Sequence, residues 1–331
     1  MKQRFKFFLR QIERLLLLLR YKLSPLTKFL FPSELVGEFD GIYQGIAKNR
    51  NEESLYNFVR NIHRIEKGLT FKNRREVFAL DYISDTIAFF VKNTELLNRY
   101  GYFEYSRNIL AAYFSYIPDE YALKEKVSFN YCTDSIEGKQ LANQDLFTRQ
   151  RRNHTEVDQM CLKRLILSRR SIRNFTSLGP RDINNIKNLC DLSVNAPSAC
   201  NRLPYKYICL QGDLKNKALD IPMGTAGWSD NVGIYVIVVG DLSAYFDIRD
   251  RHAPYIDASL ALMQLVLLLE ANNYASCIVN WSDIPSKNRK IKKLLGLESH
   301  EIVITTLAIG GKPNVYSTPI SQKRSLYEFR S

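Results

Sequence analysis

No CxxC pair, no HExxH and no GxGxxG occurs in the 331 residues, and each absence removes a class of chemistry. The six cysteines (Cys132, Cys161, Cys190, Cys200, Cys209, Cys277) and four histidines (His63, His154, His252, His300) have no zinc spacing and form no disulfide framework, so a reducing compartment is expected. Without a glycine-rich strand-to-helix turn, no dinucleotide fold is expected to hold a nicotinamide. The longest apolar run near the start, residues 15–19, is too short to span a bilayer and has no cleavage-site pattern behind it, so the expected location is the cytoplasm.

What is abundant is positive charge, a formal +13 from 47 Lys/Arg against 34 Asp/Glu. Residues 1–31 hold eight Lys/Arg against the single acid Glu13, a net of +7, so the excess is concentrated at the front. There Phe5, Leu9, Ile12, Leu16, Leu19 and Leu23 recur at steps of three and four. That spacing predicts a basic amphipathic helix, either lying on an anionic membrane surface at the inner face of the membrane or packed on the rest of the chain. Nucleic-acid binding has only the net charge in its favour and no motif, and is not expected.

At roughly 150 residues per domain the length suggests two units of globular composition. Residues 32–150 read as a mostly helical domain dense in aromatics between Ser54 and Lys126, with residues 128–153 as an exposed connection. Within it HRIEKGL (63–69) places His63 and Glu66 on one helical face, able to act as an acid/base pair or, more plainly, as an ion pair, with Lys67 before a glycine able to cap the helix. From His154 the pattern changes. Thr155 with Asp158 marks a helix start, a second helix follows Pro180 to Val194, and strands are expected at 205–210, 234–240, 276–280 and 301–310, with helices at 255–273 and 285–295. The fold class is α+β, a mixed central sheet flanked by helices and preceded by the helical domain.

Three stretches carry chemistry. SRRSIRNF (168–175) places Arg169, Ser171 and Arg173 at alternate positions, so that in an extended loop they point the same way and Arg170 points elsewhere. Two guanidinium forks and a hydroxyl suit a phosphate monoester; the other reading is a solvated basic loop. NAPSACNRLP (195–204) sets small and polar residues between two prolines, where backbone amides, Ser198 and Asn201 can bond a flat polar ligand. QKRSLYEF (322–329) offers Lys323 and Arg324 to complete an anion site from far along the chain.

In this order and spacing these stretches, with YIDASLALMQLVLLLEANNYASCIVNW (255–281), resemble the nitroreductase family of flavin mononucleotide (FMN) oxidoreductases over residues 155–331. The resemblance implies that Arg169, Arg170, Ser171, Arg173, Lys323 and Arg324 form the phosphate grip, with Arg170 and Lys323 the weaker members. It implies that Pro197, Ser198, Ala199 and Asn201 contact the flavin from the second subunit of a homodimer, and that Cys277, Ile278, Val279 and Asn280 pass its reactive edge. Trp228, in GTAGWSDN (224–231), stands where a substrate-pocket wall is expected, or is an ordinary loop aromatic. Leu203 replaces a common glutamine and Asn280 a frequent glycine or glutamate. No side chain is required as a catalyst, because such a cofactor carries the chemistry. The implied activity is ping-pong transfer from NAD(P)H to a small acceptor; a non-catalytic flavin-fold scaffold or binding module, attached to a membrane or a biosynthetic complex, is the alternative.

Overall fold

The computed structural model describes residues 54–133, 153–245, 248–282, 284–321, 323 and 326. The basic segment 1–31 and its expected membrane contact lie outside them, as does Arg324. Among the described residues five helices come first: α1 (Leu55–Thr70), α2 (Ile83–Lys92), α3 (Thr94–Arg99), α4 (Phe103–Tyr116) and α5 (Asp119–Thr133). Ser54 caps α1 by accepting from the Asn57 N–H at 3.4 Å, and Phe58, Ile62, Ile65 and Leu69, spaced four, three and four apart, turn one stripe inward. That stripe meets Phe90, Leu97, Leu110 and Tyr113 in a core separate from that of the sheet, with Phe58 stacked on Phe89 at 4.9 Å and Phe90 on Phe103 at 5.2 Å. The helical N-terminal unit read from the sequence therefore has its own core. Residues 128–133, expected as connection, continue α5, because Phe129 is buried against Phe90 and Phe114.

Gly68 does not cap α1, which runs on to Thr70. A Cβ there would come within 2.5 Å of the Phe78 ring, itself held edge-on by Tyr113 at 5.3 Å. Gly68→Ala gains about 1 kcal/mol of helix propensity but overpacks that contact at about 1–3 kcal/mol. A net loss of about 1 kcal/mol is expected, read as a lower urea midpoint for the N-terminal unit.

The second unit comprises α6 (Glu156–Ser168), α7 (Pro180–Ser193), β1 (Tyr205–Leu210), α8 (Gly212–Leu219), β2 (Ile234–Asp241), α9 (Ala253–Ala271), β3 (Tyr274–Val279), α10 (Pro285–Leu295) and β4 (Glu301–Gly311). The strands stand in the order β1-β2-β4-β3, and every pairing among them is antiparallel, where a mixed sheet was expected. The expected α+β class stands. Both faces of the sheet are covered, which explains why IYVIVV reads as an unbroken apolar run. Ile234, Val236 and Val238 face α7 and α9, while Tyr235, Ile237 and Val239 face a layer with Ile172, Phe175, Leu219 and Ile291. By length and a mean hydropathy of 1.4, α9 would suit a membrane span, yet half of it is buried within the molecule.

The two units touch. Helix α1 packs on the 3₁₀ turn Ala199–Asn201, and Tyr56 donates a 2.9 Å hydrogen bond to Asp241 at the end of β2.

Candidate functional site

The SRRSIRNF loop is fixed at both ends, which aims its middle. At its start α6 opens on a capping box, Thr155 and Asp158 bonding each other's backbone N–H, and ends at Ser168, whose hydroxyl donates to buried Glu270 at 3.0 Å. Lys312 donates to the same carboxylate at 2.8 Å, so α6, α9 and the end of β4 share one polar knot. Farther on, the Ile172 N–H donates to Ser276 on β3 at 3.0 Å, and Thr176 exchanges two 2.9 Å bonds with Gly311. The chain lies so close to β4 that a Cβ on Gly310 would meet Phe175 at 2.6 Å. Ile172 and Phe175 are sunk in the core.

With Ile172 inward, Arg169, Ser171 and Arg173 border one cavity, and their charges and hydroxyl bear on the Cys277 thiol. Burial pushes that thiol up, against the charges of Arg173 and Arg169 and a hydrogen bond with Ser171. Arg169 and Arg173 face no carboxylate within ion-pair distance among the described residues. These three side chains line a cavity of about 600 Å³ with Arg170, Thr318–Ser321 and Lys323, so the tail does come back to the arginine loop. Arg170 reaches the rim, but its guanidinium is engaged at 2.6 Å and 2.9 Å with the Leu167 and Arg169 carbonyls, closing the end of α6.

The APSACN loop lies elsewhere, and residues 197–201 line no part of that cavity. Asp257, on α9 and only 3% exposed, accepts from the Ser198 hydroxyl at 2.7 Å and the Ala199 N–H at 2.9 Å. The Ser198 oxygen in turn accepts from the Leu203 N–H at 2.9 Å. Ser198 is thus engaged inside the chain, while Pro197 and Ala199 are exposed and Asn201 is half-buried. Cys200, Asn201 and Leu203 hold φ of 55°, 54° and 50°, three non-glycine residues in the left-handed region within four positions. Such strain costs about 1–3 kcal/mol per residue and persists only where the surroundings impose it. Here Asp257 and α1 impose it.

On β3, Cys277 and Val279 are buried whereas Ile278, and Asn280 just past the strand, are exposed. Trp228 donates to the Gly224 carbonyl at 2.8 Å and leans on Phe175 at 6.1 Å, a partly buried wall of the sheet core. His63 and Glu66 are paired at 2.9 Å, and Tyr105 donates to the same carboxylate at 2.7 Å, so the residues of HRIEKGL tie α1 to α4. Lys67 is exposed.

Sequence reasoning missed Asp257, Glu270 and Asp241, the carboxylates that position the loops. A signal existed for the first: Asp257 is the lone acid in residues 253–269, an apolar run where an ionised group survives only with partners. Also missed were the apolar side chains left outside. Met160, 70% exposed, with Val157, Leu162, Ile166 and Leu167 on α6, and Ile256, Leu260 and Met263 on α9, face away from the core.

Residues 224–311 match the family model of the Nitroreductase family. Comparison with curated proteins finds no match. Among solved structures, the chain is similar to a nitroreductase family protein from Clostridium novyi NT, at 22% identity over 46% of this chain and 85% of that one, with a TM-score of 0.41. It is similar to an FMN-dependent nitroreductase from Clostridium difficile R20291 at 16% identity, over 50% and 90% of the two chains, TM-score 0.39. A putative NADH dehydrogenase/NAD(P)H nitroreductase from Bacteroides thetaiotaomicron is similar at 16% identity, over 51% and 96%, TM-score 0.43.

Proposed function

From the nitroreductase domain that residues 224–311 mark, we propose that this chain is an FMN-dependent oxidoreductase, working as a homodimer in the cytoplasm and held through residues 1–31 at an anionic membrane surface. The observation that carries the reading is the meeting of Arg169, Ser171 and Arg173 at the 600 Å³ cavity, with no carboxylate to neutralise the two arginines among the described residues. These groups fit a flavin phosphate, which brings about two negative charges and three acceptor oxygens. Ser171 would donate its hydroxyl and the two guanidiniums their forks, with Lys323 closing the site from the tail. Bound FMN supplies the two-electron redox chemistry.

The protein's own part is to fix, cover and expose. Two observations support a second copy supplying Pro197–Asn201: this loop lies outside its own chain's cavity, and the apolar residues of α6 and α9 are exposed among the described residues. Cys277 to Asn280 would then run past the ring, with Ile278 and Asn280 on the accessible side. The proposed order is ping-pong, NAD(P)H entering and leaving before a small acceptor takes its place. A non-catalytic scaffold is favoured by one observation, the packing of α1 over the Ala199–Asn201 turn.

The purified protein is expected to show flavin absorbance that bleaches on anaerobic addition of NADH or NADPH and returns with an acceptor. Flavin bands that no nicotinamide bleaches would favour the scaffold. A colourless protein that cannot be loaded with FMN would end the reading.

A further inference from the structure

A second cavity, of about 460 Å³, opens between the helical unit and the sheet. One wall is Leu55, Tyr56 and Val59 of α1 with Tyr100 and Tyr102 from the turn between α3 and α4. The other includes Leu203, Tyr205 and Lys206, with Asp241 and Glu301 at the strand ends. The first wall lies outside residues 155–331, so the helical unit creates this space, and none of the phosphate-site residues borders it.

Its size falls within the range of about 300–1,000 Å³ typical of small-molecule sites. Its charges are matched in sign and already engaged. Lys206 is paired with Glu301. Asp241 accepts from Tyr56 and, at 2.8 Å, from the Ser243 N–H, and the Arg202 guanidinium lies over the Tyr245 ring at 4.7 Å. With two lining cations against two lining carboxylates, and Lys206 paired with Glu301, the cavity offers no net charge to favour an ionised ligand. Four tyrosines among the lining residues favour a flat ring, which they can meet by offset or edge-to-face contact. Donors remain available: the Lys206 ammonium has three N–H groups and one carboxylate partner, and the Tyr102 hydroxyl makes no hydrogen bond among the described residues.

We propose that this cavity is a second small-molecule site, for an uncharged planar aromatic ligand that carries a hydrogen-bond acceptor such as a carbonyl. The ligand would bridge α1 and Leu203, and so bind both units at once. The site stands apart from the flavin reading and is present whether or not FMN binds.

The test is titration of the full chain, with and without added FMN, using a neutral naphthalene ketone whose emission brightens and shifts to the blue in an apolar site. One equivalent is expected to bind. Tyr100→Ala, at a residue 60% exposed on the rim, should weaken binding about three- to tenfold by removing one ring contact. Val59→Trp should fill the space and weaken it at least tenfold, provided its melting curve matches that of the parent. Met160→Ser, on the uncovered face of α6, should change nothing. Unaltered binding in Tyr100→Ala would overturn the proposal, as would loss in Met160→Ser, which would move the probe to the α6 face. Failure to bind FMN leaves all of these readouts intact.

Discussion

Replacing Arg169 and Arg173 together with alanine is expected to abolish retention of FMN while leaving far-UV dichroism and the melting curve close to those of the parent. Each guanidinium–phosphate contact contributes about 1.5–3 kcal/mol as a charge-assisted hydrogen bond, so losing two weakens binding by about 3–6 kcal/mol. At 1.4 kcal/mol per decade this is roughly 10² to 10⁴ in Kd, enough to strip the cofactor during gel filtration. The fold is spared because neither arginine anchors it: the loop is held by Ile172, Phe175 and the Thr176–Gly311 exchange. Arg170→Ala serves as the contrast. Its guanidinium is engaged with two carbonyls at the end of α6, so a small loss of helix stability and near-parental flavin affinity are expected. Flavin retained by the double variant would remove the phosphate assignment.

Asp257→Ala carries the second large effect, and here the loss is of structure. The carboxylate is buried and receives both the Ser198 hydroxyl and the Ala199 N–H. Without it those part-buried donors lose their charged acceptor at about 1–3 kcal/mol each, for a total of about 2–6 kcal/mol. Only α1 then remains to impose the strain at Cys200, Asn201 and Leu203, and the loop is expected to leave the left-handed region. Amide hydrogen exchange should show protection lost over residues 196–204 and retained in β2 and β4. A denaturant midpoint unchanged from the parent would mean that the loop is held by α1 instead. Asp257→Asn keeps one acceptor oxygen and should recover part of the loss.

Much of this architecture was legible in the chain. The strand at 205–210 and the helix at 285–295 fall where alternation and proline placement put them, since both signals are local. The convergence of the tail on SRRSIRNF was legible through resemblance, not through any local pattern. What stayed hidden is of another kind. The antiparallel order depends on which strand slips between which, and no periodicity encodes that. The packing of α1 on the Ala199–Asn201 turn joins residues far apart in sequence, and the acceptor that ties Tyr56 to the sheet, Asp241, reads in sequence as an ordinary strand-end acid. Met160, Leu162 and Ile166 show the limit most plainly. The helix they stand on forms as its capping box predicts, but among the described residues nothing covers these side chains.

The position of β4 sets a schedule for synthesis. Among the described residues it is the last strand to be made, yet it stands between β2 and β3 and pairs with both. The five helices of residues 55–133 have a core of their own and can pack as soon as Thr133 has cleared the ribosome. The sheet must wait for Gly311, about 180 residues later, or roughly 10–35 s at ordinary elongation rates. From Asp241 until Gly311, about 70 residues or roughly 4–14 s, the apolar run of β2 has one edge without a partner, the state in which a nascent chain is most open to mispairing and to capture by a chaperone.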